Sequence, residues 1–95
     1  MIRIYSKPSC VYCDKAKDFM KDFSIPYSEV KMDPDSDTYA SERDDLVAKT
    51  KQNTFPFIFV GDAFVGGYTE LVRSFETLKF HQLCKNIGIE LEMDF

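Results

Sequence analysis

Hydrophobic residues along the chain change their spacing several times, and each change marks an element. Residues 2–6 read as a short strand, with Lys7-Pro8-Ser9 as the loop after it. From Tyr12 onward, Ala16, Phe19, Met20 and Phe23 fall at offsets 0, 3, 4 and 7, separated by Asp14, Lys15, Lys17, Asp18, Lys21 and Asp22. That spacing predicts a helix with one buried stripe, ended by Ser24-Ile25-Pro26. Tyr27 to Met32 alternates, with Val30 and Met32 on one side and Glu29 and Lys31 on the other, as a half-buried strand does.

Asp33-Pro34-Asp35-Ser36-Asp37 is a turn rich in residues that cap helices. Tyr39, Arg43, Leu46, Val47 and Thr50 then repeat at helical spacing, to about Lys51. Phe57-Ile58-Phe59-Val60 is continuously apolar, as in a strand covered on both faces. Gly61-Asp62 suits a two-residue hairpin turn, so Ala63-Phe64-Val65 returns antiparallel until Gly66-Gly67 breaks it. Thr69 or a neighbour is expected to cap a last helical region. Leu71, Phe75 and Leu78 form one stripe there, while Phe80, Leu83, Cys84 and Ile87 form another, out of register. The slip predicts a kinked helix or two short ones, and residues 88–95 read as a frayed acidic tail.

The order is β-α-β-α-β-β-α, an α/β chain. Helical crossovers favour parallel pairing of the first three strands, with the last added antiparallel. The expected architecture is a four-stranded mixed sheet with helices on both faces.

Composition narrows the function. A length of 95 residues predicts one domain over 1–95, and nine Phe and five Tyr are ample for its interior. The net charge of -4 and the scattering of Lys15, Lys17, Lys21, Lys31, Lys49 and Lys51 among acids argue against nucleic-acid binding, which needs clustered cations. No apolar run approaches a membrane span. Met1-Ile2-Arg3-Ile4-Tyr5 turns polar too soon for a signal peptide, so a cytoplasmic location is expected. Three cysteines make a poor structural disulfide set in a reducing compartment.

Cys10-Val11-Tyr12-Cys13 stands where the first strand gives way to the first helix. Two thiols three residues apart there lie on one face and can close a disulfide. Unpaired N–H groups at the helix tip favour a thiolate, with pKa values of roughly 3.5–7.5 at such sites, and Lys7 adds positive charge. Cys10 is then the attacking sulfur. Cys13, a turn deeper, is the resolving one that expels a mixed disulfide. Two non-redox alternatives exist. The cysteines could be buried helix residues, or Cys10, Cys13, His81 and Cys84 could ligate zinc. Taken singly, His81 reads as a surface imidazole and Cys84 as a buried small hydrophobe.

Lys7-Pro8-Ser9-Cys10-Val11-Tyr12-Cys13, then Thr54-Phe55-Pro56, then Gly66-Gly67-Tyr68-Thr69-Glu70-Leu71 together resemble a dithiol glutaredoxin of the thioredoxin superfamily. The resemblance implies a thioredoxin-like fold and glutathione-dependent thiol–disulfide exchange on glutathione mixed disulfides and protein disulfides. It implies that Pro56 is cis, that the Phe55 backbone pairs with an extended substrate, and that Lys7 and Gln52 hold the glycyl carboxylate. Gly67 would allow close approach, Tyr12 and Tyr68 would line the groove, and Thr69-Glu70 would meet the γ-glutamyl end. Glutathionylated or disulfide-containing proteins, ribonucleotide reductase among them, are the implied partners of a monomer.

Two departures stand out. Glu70 replaces the family's usual Asp, and Val11 replaces the common proline between the cysteines. A freer backbone at that second position accompanies, in some relatives, a [2Fe–2S] cluster held between two protomers and glutathione. A thioredoxin-type reductant that ignores glutathione and a non-catalytic cluster carrier are the alternative functions.

Overall fold

A computed structural model describes residues 1–89 and 91 of the chain. The elements are β1 (Ile2–Ser6), α1 (Val11–Asp22), β2 (Ser28–Lys31), α2 (Tyr39–Thr50), β3 (Phe57–Val60), β4 (Ala63–Gly66), α3 (Tyr68–Glu76) and α4 (Lys79–Asn86). The strands form one mixed sheet in the order β2-β1-β3-β4.

β1 and β2 are parallel, as a crossover through α1 that carries the chain back to the other end of the sheet requires. β3, however, runs antiparallel to β1, with Tyr5 opposite Phe57, contrary to the expected parallel pairing. The reason lies in where the chain leaves and re-enters the sheet. Ser6 faces Lys31 across β1 and β2, so β2 ends beside the end of β1. Phe57 also lies at that end. Turns at residues 33–38 and an irregular connection at 51–56, begun by a left-handed Lys51, let α2 leave from one end of the sheet and return to it. The parallel rule holds only for crossovers that carry the chain to the opposite end.

Side-chain alternation splits the interior into two layers. Ile2, Ile4, Ile58 and Val60 pack under Ala16 and Met20 of α1, Leu71 and Phe75 of α3 and Phe80 and Cys84 of α4. Tyr5, Phe57, Phe59 and Phe64 face Leu46 and Val47 of α2. Full burial of Phe57 and Phe80 stabilises by about 1.5–3 kcal/mol each relative to exposure. Cys13, from the first turn of α1, joins the α2 layer, because that turn overhangs the sheet end.

The last helical region is two helices. Leu78 takes a left-handed conformation between them, which moves it off the stripe shared with Leu71 and Phe75 and leaves it exposed. Gly67, not Thr69, is the N-cap of α3. His81 is 5% exposed rather than a surface imidazole. α4 turns it inward with Phe80, and its ring packs 4.5 Å from that of Phe75. The expected frayed tail is, where it is described, packed instead. The Ile89 N–H donates to the Cys84 carbonyl at 2.8 Å, and Ile89 and Leu91 pack against the core. The rest of that tail, Glu90 and residues 92–95, lies outside the described residues.

Candidate active site

Strand direction gathers the three sequence motifs. β1 ends, β3 begins and β4 ends at one edge of the sheet, since Tyr5 pairs with Phe57 and Ile58 with Gly66. The Lys7–Cys10 loop, the Phe55–Pro56 step and the Gly66–Gly67 step therefore meet there.

Cys10 is the N-cap of α1, in an extended conformation, and its Sγ accepts the Cys13 N–H at 3.2 Å. The sulfur thus takes the place of the oxygen that caps most helices, and that N–H with the helix dipole favours its anion. Cys10 is half-buried, while Cys13 is only 1% exposed. The two are joined by a disulfide, with Cα atoms 5.2 Å apart. An external thiol or disulfide can reach only Cys10.

Two lysines, one of the loop and one of α1, rest on aromatic faces. Lys7 Nζ lies 5.3 Å from the centre of the Phe55 ring. Tyr12 is exposed and packs against Tyr68 with ring centres 6.2 Å apart. Lys15 Nζ sits 5.2 Å from the Tyr12 ring and 5.9 Å from the Tyr68 ring. Such contacts contribute about 0.5–1 kcal/mol at exposed sites and restrict where each charge resides. The scatter of charges in the sequence places Lys15 on a solvated face, whereas the fold sets it on two rings. Its i, i+3 spacing from Tyr12 was the available signal.

The Phe55–Pro56 bond is cis. Gln52 Nε2 donates to the Thr54 carbonyl at 2.7 Å and to the Pro56 carbonyl at 2.9 Å. Across from it, the Glu70 carboxylate accepts the Gly67 N–H at 2.8 Å, bending back over the start of its own helix. That fold of the chain explains Gly66 rather than Gly67. Gly66 has φ of +128°, and a Cβ there would lie 2.6 Å from Glu70 Cβ, so no other residue fits. Thr69 is exposed on the first turn of α3.

Beneath the Lys7–Ser9 loop, the Ser6 hydroxyl donates to Glu29 Oε2 at 2.6 Å and Lys17 Nζ donates to the same oxygen at 3.0 Å. Lys17 also pairs with Asp14 at 3.6 Å. The Ser6 hydrogen bond, reinforced by Lys17, holds the Glu29 carboxyl below its ordinary range, and Glu29 raises Lys17 in return. This network ties the end of β1 and the middle of β2 to α1. Glu29 therefore does not simply face solvent, as its alternation suggested.

Cys84 is fully buried in the other layer, and burial pushes its thiol up to about 11. The zinc arrangement does not form, since Cys84 lies in the core under α4 and His81 is buried against Phe75, while Cys10 caps α1 at the sheet edge with Cys13 in its first turn. Among the described residues no group of three or more His, Cys, Asp or Glu is placed to hold a metal, and no helix is long and apolar enough to cross a membrane.

Known proteins resemble the chain in sequence and in fold. The sequence pattern of the family described as Glutaredoxin matches residues 2–65. Over 71 residues the chain is 38% identical to Glutaredoxin-1 of Rhizophagus irregularis, covering 75% of this chain and 69% of that protein. It is 34% identical to Glutaredoxin-2 of Schizosaccharomyces pombe over 84 residues, covering 81% and 71%. It spans only 44% of the length of bovine Glutaredoxin-2, mitochondrial, at 39% identity over 74% of this chain. In fold, it resembles a buckwheat glutaredoxin–glutathione complex with a TM-score of 0.83 and 20% identity, over 94% of this chain and 80% of the other.

Proposed function

The chain belongs to the glutaredoxin family, and from that premise we propose that it is a thiol–disulfide oxidoreductase with glutathione as co-substrate. One observation carries the reading: a reachable Cys10 sulfur caps α1, with Cys13 buried directly behind it.

The cycle follows from that geometry. The Cys10 thiolate attacks the glutathione sulfur of a mixed disulfide, and the other partner leaves as a thiolate. Cys10 is then glutathionylated. A second glutathione thiolate attacks the glutathione sulfur of that bond, which releases glutathione disulfide and restores the Cys10 thiolate. With a protein disulfide, Cys10 forms a mixed disulfide to one protein sulfur. Cys13 then attacks Cys10 and expels it, and two glutathiones reduce the resulting 10–13 disulfide. The stabilised Cys10 thiolate is both an accessible nucleophile and a good leaving group.

In this reading Lys7 receives the glycyl carboxylate and the Phe55 backbone pairs with the cysteinyl residue as an added strand. Gly67, Tyr68 and Thr69 line the γ-glutamyl end, whose ammonium meets the Glu70 carboxylate. Tyr12 walls the sulfur. A reducing compartment suits the cycle, which consumes reduced glutathione. The [2Fe–2S] alternative has a fitting ligand in Cys10 and none in the buried Cys13. Its support is Val11 in place of the common proline, and the buried Cys13 behind Cys10 favours thiol exchange.

The decisive measurement is turnover of a small glutathione mixed disulfide, coupled to NADPH through glutathione reductase. Sustained turnover is expected. Turnover only with a thioredoxin reductase as electron donor would assign the chain to thioredoxin-type reduction instead.

A further inference from the structure

We propose that Glu29 is a positioning residue for the nucleophile: its carboxylate clasps Ser6 and Lys17, which bracket the Cys10 loop, and so keeps Ser9 left-handed and the Cys10 sulfur on the Cys13 N–H. The inference rests on the glutaredoxin reading for the task of Cys10 and adds a residue of β2 to it.

Residues 7–9 have to turn the chain from the end of β1 into the first turn of α1. Lys7, Pro8 and Ser9 are all exposed. An open cavity of about 290 Å³ lies against them, lined also by Lys17, Glu29 and Met32, so packing gives the loop little support. Ser9 nonetheless holds φ of 57°. That left-handed conformation is unfavourable for a residue with a Cβ and persists only where its surroundings hold it. It delivers Cys10 to the N-cap in an extended conformation, with Sγ 3.2 Å from the Cys13 nitrogen.

The two flanks of the loop meet at one atom. Glu29 Oε2 accepts the Ser6 hydroxyl at 2.6 Å and the Lys17 ammonium at 3.0 Å. Ser6 directly precedes the loop and is a fixed post, 2% exposed, with its carbonyl accepting the Met32 N–H at 2.8 Å. Lys17 lies one turn beyond Cys13 on α1, and Glu29 stands on β2 opposite Ile4. The sheet end and the helix are thereby held at one separation, which three residues have to span. Both bonds are charge-assisted and partly shielded, since the Lys17 and Glu29 side chains are only 22% and 20% exposed. Without them α1 can shift over the sheet end and Ser9 can leave the left-handed region. The Cys10 sulfur then loses the N–H that stabilises its anion.

Charge alone predicts the opposite result, which makes the sign decisive. Deleting the Glu29 carboxylate removes a negative charge and releases Lys17 from its β2 partner, and both changes favour a thiolate. The test titrates the Cys10 thiolate by ultraviolet absorbance in reduced Cys13→Ser protein, where the other thiol, Cys84, ionises only at about 11. Glu29→Leu should raise the Cys10 midpoint by about one pH unit, the worth of one lost hydrogen bond. Glu29→Gln, whose amide oxygen still accepts from both partners, should raise it less. Adding Ser9→Gly to Glu29→Leu should return most of the shift, because glycine enters the left-handed region without penalty. A lowered midpoint in Glu29→Leu would make Glu29 a charge acting through space, and an unchanged one would leave it a part of the scaffold. Either overturns the proposal, as does a shift that Ser9→Gly leaves in place. If Glu29→Leu does not fold, Ser6→Ala decides, since it removes one bond and no charge. It should move the midpoint in the same direction by roughly half as much, and no movement would refute the clasp. The titration needs no turnover, so wild-type activity on a small glutathione mixed disulfide tests the parent reaction separately.

Discussion

Cys10 and Cys84 carry the same thiol into opposite environments. Cys10 sits at a helix tip at the sheet edge, where the Cys13 N–H points at its sulfur and one side is open. Cys84 sits on α4 among Ile2, Ile4 and Phe80, fully removed from water, and its thiol is pushed up to about 11. The first environment stabilises an anion with a backbone donor that has no partner inside its own helix. The second penalises any charge by desolvation. A cysteine's chemistry is therefore decided by the groups aimed at its sulfur.

The largest effect that would break this contrast is a pair of substitutions. Cys10→Ser should abolish exchange with every substrate, whereas Cys84→Ala should leave kcat/KM unchanged and cost about 1 kcal/mol of stability through a small cavity, read by urea denaturation. Loss of activity in Cys84→Ala with the fold intact would show that the buried thiol takes part.

Cys13 sharpens the comparison, being buried like Cys84 yet bonded to Cys10. Cys13→Ser should retain turnover of glutathione mixed disulfides and lose most reduction of protein disulfides. Equal loss in the two assays would contradict the resolving role proposed for it.

The smallest effect is a pH dependence. An unfolded Cys84 thiol ionises near its ordinary 9.0, but the native one keeps its proton up to about 11. Ionisation thus favours the unfolded chain, so stability present below pH 9.0 declines as pH rises toward about 11. The difference in urea midpoint between wild type and Cys84→Ala across that range isolates the contribution. A constant difference would mean that the native thiol is not desolvated.

Much of the fold is legible locally. The apolar run of β3 marks a central strand, the Gly61-Asp62 step marks the hairpin and the out-of-register stripes mark the break at Leu78, because each depends on residues within a turn or two. The Lys7–Cys13, Thr54–Pro56 and Gly66–Leu71 motifs likewise point to one site. Less legible are the direction of β3, which depends on where α2 delivers the chain, and the burial of His81, which depends on how α4 leans on Phe75. The bonds of Glu29, Glu70 and Gln52 were equally hidden. Each of these polar side chains suits solvent, a ligand or a backbone partner, and periodicity does not distinguish among them.

Spacing along the chain thus dictated the elements, their order and the redox pair at the tip of α1, since those follow from neighbours a few residues apart. Which sulfur meets solvent, which carboxylate caps its own helix and which amide meets the Pro56 carbonyl were settled by packing. Those outcomes turn on desolvation and hydrogen-bond geometry between segments that come together only when the sheet closes.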